Sequence, residues 1–527
     1  MPDTDTSRTE SRARTAPTGQ TVFWISVALV VVFVVPGAVV PDLLDRVTSA
    51  VHEWILATFG WAYLLATILF LLFALYLAVG PYGSIRLGRD DEKPQYSYFG
   101  WFSMLFAAGM GIGLVFWGVA EPLTHFHNPP AHLAADSGEA ARFAMVRSFF
   151  HWGVHPWAVY IVMSLSIAYF SFRRGMPPLI SSVFYPLIGD AIYRWPGRLI
   201  DILSVFATVF GVATSLGFGA TQIRGGLSSV FGVPDSTAVA LIIIAVVTVL
   251  YMTSSMIGLD KGIQVLSKGN VMLTLALMVL VLVLGPTAYI FNVFTSTIGG
   301  YLSSFVDLSL SSNPFEGFEW TKQWTLFYWA WWISWSPFVG LFVASISRGR
   351  TIREFVIGAL LVPTILTFLW FAVFGGTGLQ LELSGGSTEL AATAASNPPR
   401  ALFALLEQLP LTRVLSLLSL VVLGIFFVTS ADSATYVLGM MTSNGAMRPS
   451  AWKKILWGVL QSSAAAVLLV SGGLGGLQRM AIIAALPFTI VMVAMMRSLH
   501  TAMRYELTRE HGAGKLTIPA KSRTLDA

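Results

Sequence analysis

Long apolar runs alternate with short polar segments along almost the entire chain. A run of about 20 apolar residues is long enough to cross the hydrocarbon core of a bilayer as a helix. Such runs occupy residues 21–40, 56–80, 99–121, 147–172, 199–223, 236–257, 269–291, 324–346, 354–375, 413–441, 452–471 and 480–499. The pattern predicts an all-α integral membrane protein with twelve transmembrane helices.

The basic residues are concentrated in every second connecting segment. Arg86, Arg89 and Lys93 follow the second run, and Arg348 and Arg350 follow the eighth. Lys and Arg are enriched in the cytoplasmic segments of membrane proteins. The distribution predicts a multi-pass protein in the lipid bilayer of the cell inner (plasma) membrane, with both termini in the cytoplasm.

Composition narrows the functional class. The 527 residues are 55% hydrophobic and only 11% charged, whereas soluble domains have about 25% charged residues. The chain has no Cys, which excludes disulfides, thiolate metal sites and Cys nucleophiles. Its net charge of +5 lies in loops and tails, so we expect no nucleic-acid partner. An enzyme would need His, Asp or Glu converging at one depth, and Glu121, directly before Pro122, is expected to end its helix near the outer surface. We predict neither an enzyme nor a cofactor.

Polarity divides the chain into three parts. Residues 1–20 form a polar N-terminal tail, residues 21–500 a single membrane domain, and residues 501–527 a polar C-terminal tail. Residues 293–318 have apolar positions at mixed helical spacing but are too polar to span, which predicts an interfacial helix. Residues 376–412 are rich in Gly, Ser, Thr and Ala, and we predict an exposed loop there.

The eighth run contains a concentration of aromatic side chains. Four tryptophans occupy the seven positions from Trp329 to Trp335, and Ser336 and the helix-breaking Pro337 follow at once. Tryptophan in membrane proteins normally lies at the water interface. A cluster in mid-span offers electron-rich faces in an apolar setting, and such faces attract quaternary ammonium groups in particular. The cluster predicts transport of a methylated ammonium compound.

The third run contains glycines at alternate positions, Gly109, Gly111 and Gly113. This spacing suits neither a regular helix nor a helix-dimer face, whereas transporters use unwound helices to bind ions and anionic groups. Close helix packing is the alternative interpretation. Breaks here and at Ser336–Pro337 would occupy equivalent places in two inverted five-helix repeats. These repeats would cover about residues 99–291 and 324–499.

The fourth run contributes a second aromatic group. On a regular helix, Trp152, Trp157 and Tyr160 lie within an arc of about 140°, so all three can face one cavity. Plain helix packing is the alternative. His151 and His155 have the i, i+4 spacing of some metal sites. Because no carboxylate nearby completes a ligand set, we expect no metal there.

Three segments together resemble a known family. They are similar to segments of the betaine/choline/carnitine transporter family (BCCT). The three segments are GMGIG with GVAEP, HWGVHPWAVY, and WAWWISWSPFVG with SRGRT. The resemblance covers about residues 20–500. It implies two N-terminal helices followed by two inverted five-helix repeats, a LeuT-like fold. It also implies a secondary active symporter that imports glycine betaine, or a similar quaternary-ammonium or zwitterionic solute, with Na+ for osmoprotection. A homotrimer is implied as well, held partly by an amphipathic helix that residues 293–318 would form.

The same resemblance implies a substrate site, in which a trimethylammonium group is held by ring faces at roughly 0.5–2 kcal/mol per desolvated ring. The central box would consist of Trp152, Trp157, Tyr160 and Trp332. A second position toward the cytoplasm would be lined by Trp331 and Trp335. The substrate carboxylate would meet backbone N–H groups, as anions do at helix N-termini. Those groups would belong to Gly111, Ile112 and Gly113.

The resemblance also implies two sodium sites, one more complete than the other. The second site would combine the Thr429 and Ser430 hydroxyls with the carbonyl oxygens of Ala107, Met110 and Phe426. The first site uses two threonines one turn apart and an aromatic residue. The chain keeps Thr208 and Phe338 but has Val212 at the other threonine position. Valine offers no oxygen, so we expect this first site to be weakened or lost.

Other members of the family remain alternatives. Proton-coupled choline transporters tend to carry Asp where this chain has Gly113, and sodium-independent carnitine exchangers carry a positive side chain where it has Gln264. Both differences favour sodium-coupled betaine transport. A pocket of rings and backbone does not distinguish glycine betaine from ectoine or proline.

Overall fold

The structure is a computed structural model that describes residues 18–109, 111–257, 260–314, 318–385 and 389–511, without the side chains of residues 18, 106–109, 257, 260–264 and 509–511. Its described regular elements are helices, as predicted. They are α1 (Thr18–Val39), α2 (Pro41–Val79), α3 (Tyr98–Gly109), α4 (Ile112–His127), α5 (Gly138–Trp152), α6 (Val154–Ala168), α7 (Tyr185–Ile188), α8 (Trp195–Phe231), α9 (Thr237–Ile257), α10 (Asp260–Leu284), α11 (Thr287–Ser303), α12 (Phe305–Leu310), α13 (Glu319–Thr321), α14 (Phe327–Ser345), α15 (Ile352–Leu383), α16 (Glu389–Ser396), α17 (Ala401–Glu407), α18 (Thr412–Met441) and α19 (Ala451–His511). Short 3₁₀ turns lie at Pro81–Ser84, Ser181–Phe184, Gly189–Tyr193 and Pro398–Arg400, and π turns at Tyr169–Arg173 and Lys322–Leu326.

Burial separates the centre of the bundle from its periphery. Of the described residues, ten stretches are long and apolar enough to span a membrane. Protein covers 94% of the apolar window in Gly138–Arg173 and in Glu319–Ser345, but only 28% in Thr237–Met256 and in Val265–Leu284. Helices α5, α6 and α14 therefore form the centre, whereas α9 and α10 present apolar side chains outward, where a bilayer would cover them.

Two changes to the predicted spans account for the difference between twelve and ten. The third run is divided into α3 and α4, of 12 and 16 residues, each too short to span alone. The last two runs are joined as α19 across a kink at Gly473, where φ is 57° and ψ is −142°. Glycine adopts this positive φ without steric cost.

The break predicted in the glycine-rich stretch is present. Helix α3 ends at Gly109, and α4 begins at Ile112 with Gly111 as its N-cap, at φ −61° and ψ −128°. Residues 111–113 are all buried. Helix α4 therefore begins inside the protein, where its first N–H groups have no partner within the helix.

The break predicted at Ser336–Pro337 was wrong, because α14 continues through Pro337 to Ser345. Proline cannot donate to the carbonyl four residues earlier, which here is Ile333. The Ser336 hydroxyl donates to that carbonyl instead, at an Oγ–O distance of 2.8 Å. One side chain thus satisfies the acceptor that the proline leaves free, and the helix remains intact.

The fourth predicted span is divided, although its sequence pattern predicts one continuous helix. Helix α5 ends at Trp152 and α6 begins at Val154, with the intervening Gly153 at φ −86° and ψ −137°. A Cβ at Gly153 would lie 2.6 Å from the carbonyl oxygen of Phe149, so the close passage requires glycine. Trp152 therefore belongs to a different helix from the two aromatic residues predicted to share its face.

The exposed loop predicted at 376–412 was also wrong. Helix α15 continues to Leu383, and the rest of the described segment contains α16 and α17. Their buried side chains include Leu390, Phe403 and Leu406. A Cβ at Gly378 would lie 3.1 Å from Cδ1 of Leu123 in α4. The small residues that suggested a loop instead allow close packing against α4.

The predicted interfacial helix begins earlier than expected. Helix α10 ends at Leu284, before Pro286, and α11 and the short α12 follow. The seventh predicted span therefore ends before 291, and residues 315–317 of the predicted interfacial segment lie outside the described residues. Leu302 and Val306 are 65% and 70% exposed. The interfacial location of this segment stays a prediction.

Candidate substrate-binding site

Aromatic rings from α5, α6 and α14 meet at the centre of the bundle. The ring centroids of Trp152 and Trp332 are 4.8 Å apart with planes at 75°, and Tyr160 lies 6.3 Å from Trp332 at 78°. All three side chains are buried. We call these three residues the aromatic box. Because neighbouring rings are nearly perpendicular, they present faces in different directions, as a cage around a compact cation requires.

Two further tryptophans continue the stack along α14. Trp331 stacks on Trp332 at 4.6 Å, and Trp335 lies 6.2 Å from Trp331 and 6.3 Å from Tyr160. Trp335 also lies 5.9 Å from Phe338. Trp331 is therefore beside the aromatic box, and the column continues from it through Trp335. That these two rings line a second substrate position stays a prediction.

Trp157 is connected to the box through Tyr160, at 5.6 Å and 84°. Three buried polar atoms here have no hydrogen-bond partner among the described residues, namely Trp157 Nε1, Tyr160 Oη and Trp331 Nε1. Buried polar groups in proteins are normally paired. These donors are therefore free to bind a polar group that enters the site.

The start of α4 lies directly against these rings. A Cβ on Gly113 would lie 2.6 Å from Cη2 of Trp331 and 3.2 Å from Cη2 of Trp152. Only glycine fits this approach without displacement of an indole. The partially positive N-terminus of α4 is thereby placed beside the aromatic faces, close enough for one small zwitterion to contact both.

A buried carboxylate holds one side of the box. Oε2 of Glu121 accepts hydrogen bonds from Trp152 Nε1 at 2.7 Å and from Tyr328 Oη at 2.5 Å. Oε1 contacts His151 Nδ1 at 2.7 Å and His125 Nε2 at 3.3 Å. Glu121 lies inside α4, which continues to His127, and the side chain is fully buried. The expectation that Glu121 ends a helix near the surface was therefore wrong.

This cluster also corrects the interpretation of the histidines. His151 pairs with Glu121 rather than with His155, whose Nε2 instead contacts Ser309 Oγ at 3.0 Å. Ligand atoms of Glu121, His125 and His151 lie within 4.8 Å of one another, so these three could hold a metal ion. The premise that no carboxylate lies near His151 was therefore wrong, because Glu121 supplies one. The i, i+4 spacing of Glu121 and His125 was the sequence signal that could have revealed the cluster.

Part of the predicted second sodium site lies against the break before α4. A Cβ on Gly111 would lie 3.7 Å from Ser430 Oγ and 3.7 Å from Cδ1 of Phe426. Thr429 Oγ1 donates to the Ile425 carbonyl at 2.9 Å. The predicted carbonyl ligand of Met110 lies outside the described residues, and only the backbone of Ala107 is described.

The predicted first sodium site has few oxygens. Thr208 Oγ1 donates to the Ser204 carbonyl at 2.7 Å and lies 3.9 Å from the sulfur of Met441. Val212 is buried one turn along α8, and Phe338 is buried beside Trp335. Position 212 is therefore buried and has no side-chain oxygen.

Comparison with known proteins decides the family. The profile described as "BCCT, betaine/carnitine/choline family transporter" matches residues 21–508. The chain belongs to the BCCT family. It is a multi-pass membrane transporter and not an enzyme.

Several BCCT relatives are similar along nearly their whole length. Glycine betaine transporter OpuD of Bacillus subtilis (strain 168) is 49% identical over 508 residues, which are 96% of this chain and 98% of that protein. The ectoine/hydroxyectoine transporter of Virgibacillus pantothenticus is 45% identical over 478 residues, 90% and 95% of the two chains. Glycine betaine transporter 1 of Vibrio parahaemolyticus serotype O3:K6 (strain RIMD 2210633) is 41% identical over 494 residues, 92% and 94% of the two chains.

Proposed function

We propose that this BCCT transporter imports glycine betaine across the plasma membrane in symport with Na+, as an osmoprotectant. The observation that carries the proposal is the aromatic box beside the start of α4. A quaternary ammonium group has no N–H to donate, so ring faces are the natural partner for it. A carboxylate at the other end of the same solute suits the N–H groups at residues 111–113. Glycine betaine joins these two groups in one small molecule.

Residue Gly113 favours betaine over choline. The family's proton-coupled choline transporters tend to have a carboxylate at this position, which could bind the choline hydroxyl. Here a Cβ would already lie 2.6 Å from Trp331. An aspartate would therefore require the rings to be arranged differently.

Coupling to sodium is supported by the position of Ser430. Its hydroxyl lies 3.7 Å from the place of a Gly111 Cβ, so α18 and the break before α4 would share an ion. Hydroxyl and carbonyl oxygens are suitable ligands for a small hard cation. Since Val212 adds no oxygen at the other position, the proposal is one Na+ per substrate.

Ectoine is a second candidate substrate, because one relative of 45% identity carries the name ectoine/hydroxyectoine transporter. Ectoine is a cyclic zwitterion with a delocalised cation, which also suits ring faces. Both termini in the cytoplasm and a homotrimeric assembly through the α11–α12 segment belong to the same proposal.

Uptake into proteoliposomes tests the proposal. Purified protein should accumulate radiolabelled glycine betaine when Na+ is outside, and not with an equal K+ gradient. Excess unlabelled ectoine or choline should show which solutes compete. One net positive charge per betaine is expected. Betaine uptake that is equal in Na+ and K+ would contradict sodium coupling, and an absence of betaine uptake would contradict the substrate.

A further inference from the structure

The carboxylate of Glu121 divides its hydrogen bonds between two groups of partners. His125 and His151 contact Oε1, whereas Trp152 and Tyr328 donate to Oε2. The histidine side is itself fixed, because His151 Nε2 contacts Thr325 Oγ1 at 2.9 Å. Because a carboxylate is planar, hydrogen bonds that hold Oε1 in place also restrict the rotation of Oε2. The histidines therefore fix Glu121, and Glu121 fixes the two aromatic side chains.

These aromatic side chains are part of the box or are stacked on it. Trp152 is a member of the box, and Tyr328 lies 5.7 Å from Trp152 and 5.8 Å from Trp332. The indole N–H of Trp332 donates to the backbone carbonyl of His151 at 3.1 Å. Each of these three rings is thus tied to Glu121 directly or through His151. A rotation of the carboxylate would therefore change the angles between these ring faces.

The charge of Glu121 adds an electronic effect to this geometric one. The described basic groups in contact with its fully buried side chain are the imidazoles of His125 and His151. The buried cation nearest in sequence, Arg147, lies over the rings of Phe143 and Trp320 at 5.2 and 5.4 Å. A bond from an indole N–H to a carboxylate is charge-assisted and polarises the donor. It increases electron density on the Trp152 face, which strengthens attraction to a cation.

We propose that Glu121 is the positioning residue of the aromatic box. Its carboxylate holds Trp152 and Tyr328 at the angles that the trimethylammonium group requires, and its charge makes the Trp152 face more attractive to that group. The proposal rests on the proposed betaine substrate. It concerns a residue that does not touch the substrate and acts through the rings.

The decisive variant is Glu121→Gln, which keeps the size of the side chain but removes the charge and one acceptor oxygen. We expect the KM for glycine betaine in proteoliposomes to rise about tenfold, as for one lost charge-assisted hydrogen bond, with Vmax within about twofold. Glu139→Gln is the matched control, because Glu139 is exposed in the first turn of α5. It should change neither value.

A second readout does not depend on the substrate. In protein labelled with ¹⁵N at the indoles, the Trp152 resonance is assigned by its loss in Trp152→Phe. The bond to Glu121 should place its proton far downfield, and Glu121→Gln, unlike Glu139→Gln, should move it upfield. An unchanged resonance, or a fall in Vmax with KM unchanged, would overturn the positioning role.

The outcomes separate this proposal from the substrate proposal. If the unmodified protein takes up no betaine, the substrate proposal fails, and the Trp152 resonance still decides the role of Glu121. If Glu121→Gln is not recovered as a folded protein, Tyr328→Phe replaces it, since it removes one donor and leaves the charge. This variant should raise KM about threefold, less than Glu121→Gln, because the carboxylate keeps its charge and its other three partners. An unchanged KM in Tyr328→Phe would count against the proposal.

Discussion

The start of α4 and the middle of α14 occupy corresponding places in the two predicted repeats, but their backbones differ. At Gly111 the chain leaves helical geometry, with ψ at −128°. At Pro337 the helix continues, because the Ser336 hydroxyl donates to the Ile333 carbonyl. Proline removes a single donor that one neighbour can replace. Alternate glycines lack side chains for packing and leave the backbone less restrained at several positions at once. No single neighbouring side chain can compensate for both losses.

The two regions accordingly offer different chemistry to a solute. The break before α4 leaves buried backbone N–H groups without partners inside the helix. The continuous α14 instead holds Trp331, Trp332 and Trp335 at fixed angles to one another. In the proposed function the broken helix binds the carboxylate and the intact helix binds the cation. Substitutions that act on only one of the two regions test this division.

The largest effect is expected at the contact between the two regions. Gly113→Ala places a methyl group 2.6 Å from Cη2 of Trp331, in a buried site with no room. Overpacking of this kind costs about 1–3 kcal/mol, and if that cost falls on the transport-competent arrangement, betaine uptake should fall about 5- to 150-fold. In Gly111→Ala the nearest atoms are 3.7 Å away, and uptake should be retained far better. Equal activity of the two variants, measured by initial rates in proteoliposomes, would show that the contact with Trp331 does not matter.

The next effect concerns the rings of α14. Trp332→Leu keeps an apolar side chain but removes the π-face, so the KM for glycine betaine should rise about tenfold. Trp332→Phe keeps a smaller face and should retain more affinity. Concentration series of uptake give both values, and identical KM values for Leu and Phe would mean that the ring only packs.

A smaller effect is expected for sodium at the break. Thr429→Ala combined with Ser430→Ala removes two hydroxyl oxygens, and the Na+ concentration for half-maximal uptake should rise about fivefold or more, because the two ligands together contribute at least about 1 kcal/mol. Ser419→Ala on the same helix is the control, because Ser419 is buried and bonded to the Leu415 carbonyl at 2.9 Å. Unchanged sodium dependence in the double variant would remove this site from the proposal.

The smallest effect concerns the continuity of α14. Ser336→Ala leaves the Ile333 carbonyl without its donor, and unfolding free energy should fall by about 1 kcal/mol. Ser334→Ala should cost less, since its hydroxyl donates to the Trp331 carbonyl at 3.0 Å, which a helical N–H already reaches. In a Pro337→Ala background, Ser336→Ala should become nearly neutral, because the substituted alanine supplies the missing N–H. Thermal unfolding in detergent would show whether the two substitutions are coupled in this way.

The sequence was sufficient for the family, the all-helical class and the break at Gly111, because composition and short motifs carry those features. It was insufficient for the break at Gly153 and for the helices and buried side chains that the described part of 376–412 contains. In both places small residues allow neighbouring segments to pack closely. The hydropathy of such residues does not distinguish a packed segment from an exposed one. The break at Ser336–Pro337 was predicted from the proline alone, without the compensating hydroxyl.

The carboxylate cluster was missed for a different reason. Sequence spacing pairs His151 with His155, four positions away, whereas its partner in the structure is Glu121, on another helix. Contacts between helices depend on how α4 and α5 are placed, which a single sequence does not specify. Only the Glu121–His125 half of the cluster lies within one helix.

The uneven burial of the membrane helices has a consequence for evolution. On α9 and α10, protein covers only 28% of the apolar windows, so most apolar side chains there face lipid and can be exchanged for one another. In the stretches that contain α5, α6 and α14, protein covers 94% of the apolar window, and each ring there has closely packed neighbours. Neutral drift should therefore accumulate on the outer helices, and a homologue that handles a new solute should differ at few positions in the centre. Recombining the outer helices between distant relatives should preserve transport, whereas exchanging α14 alone should not.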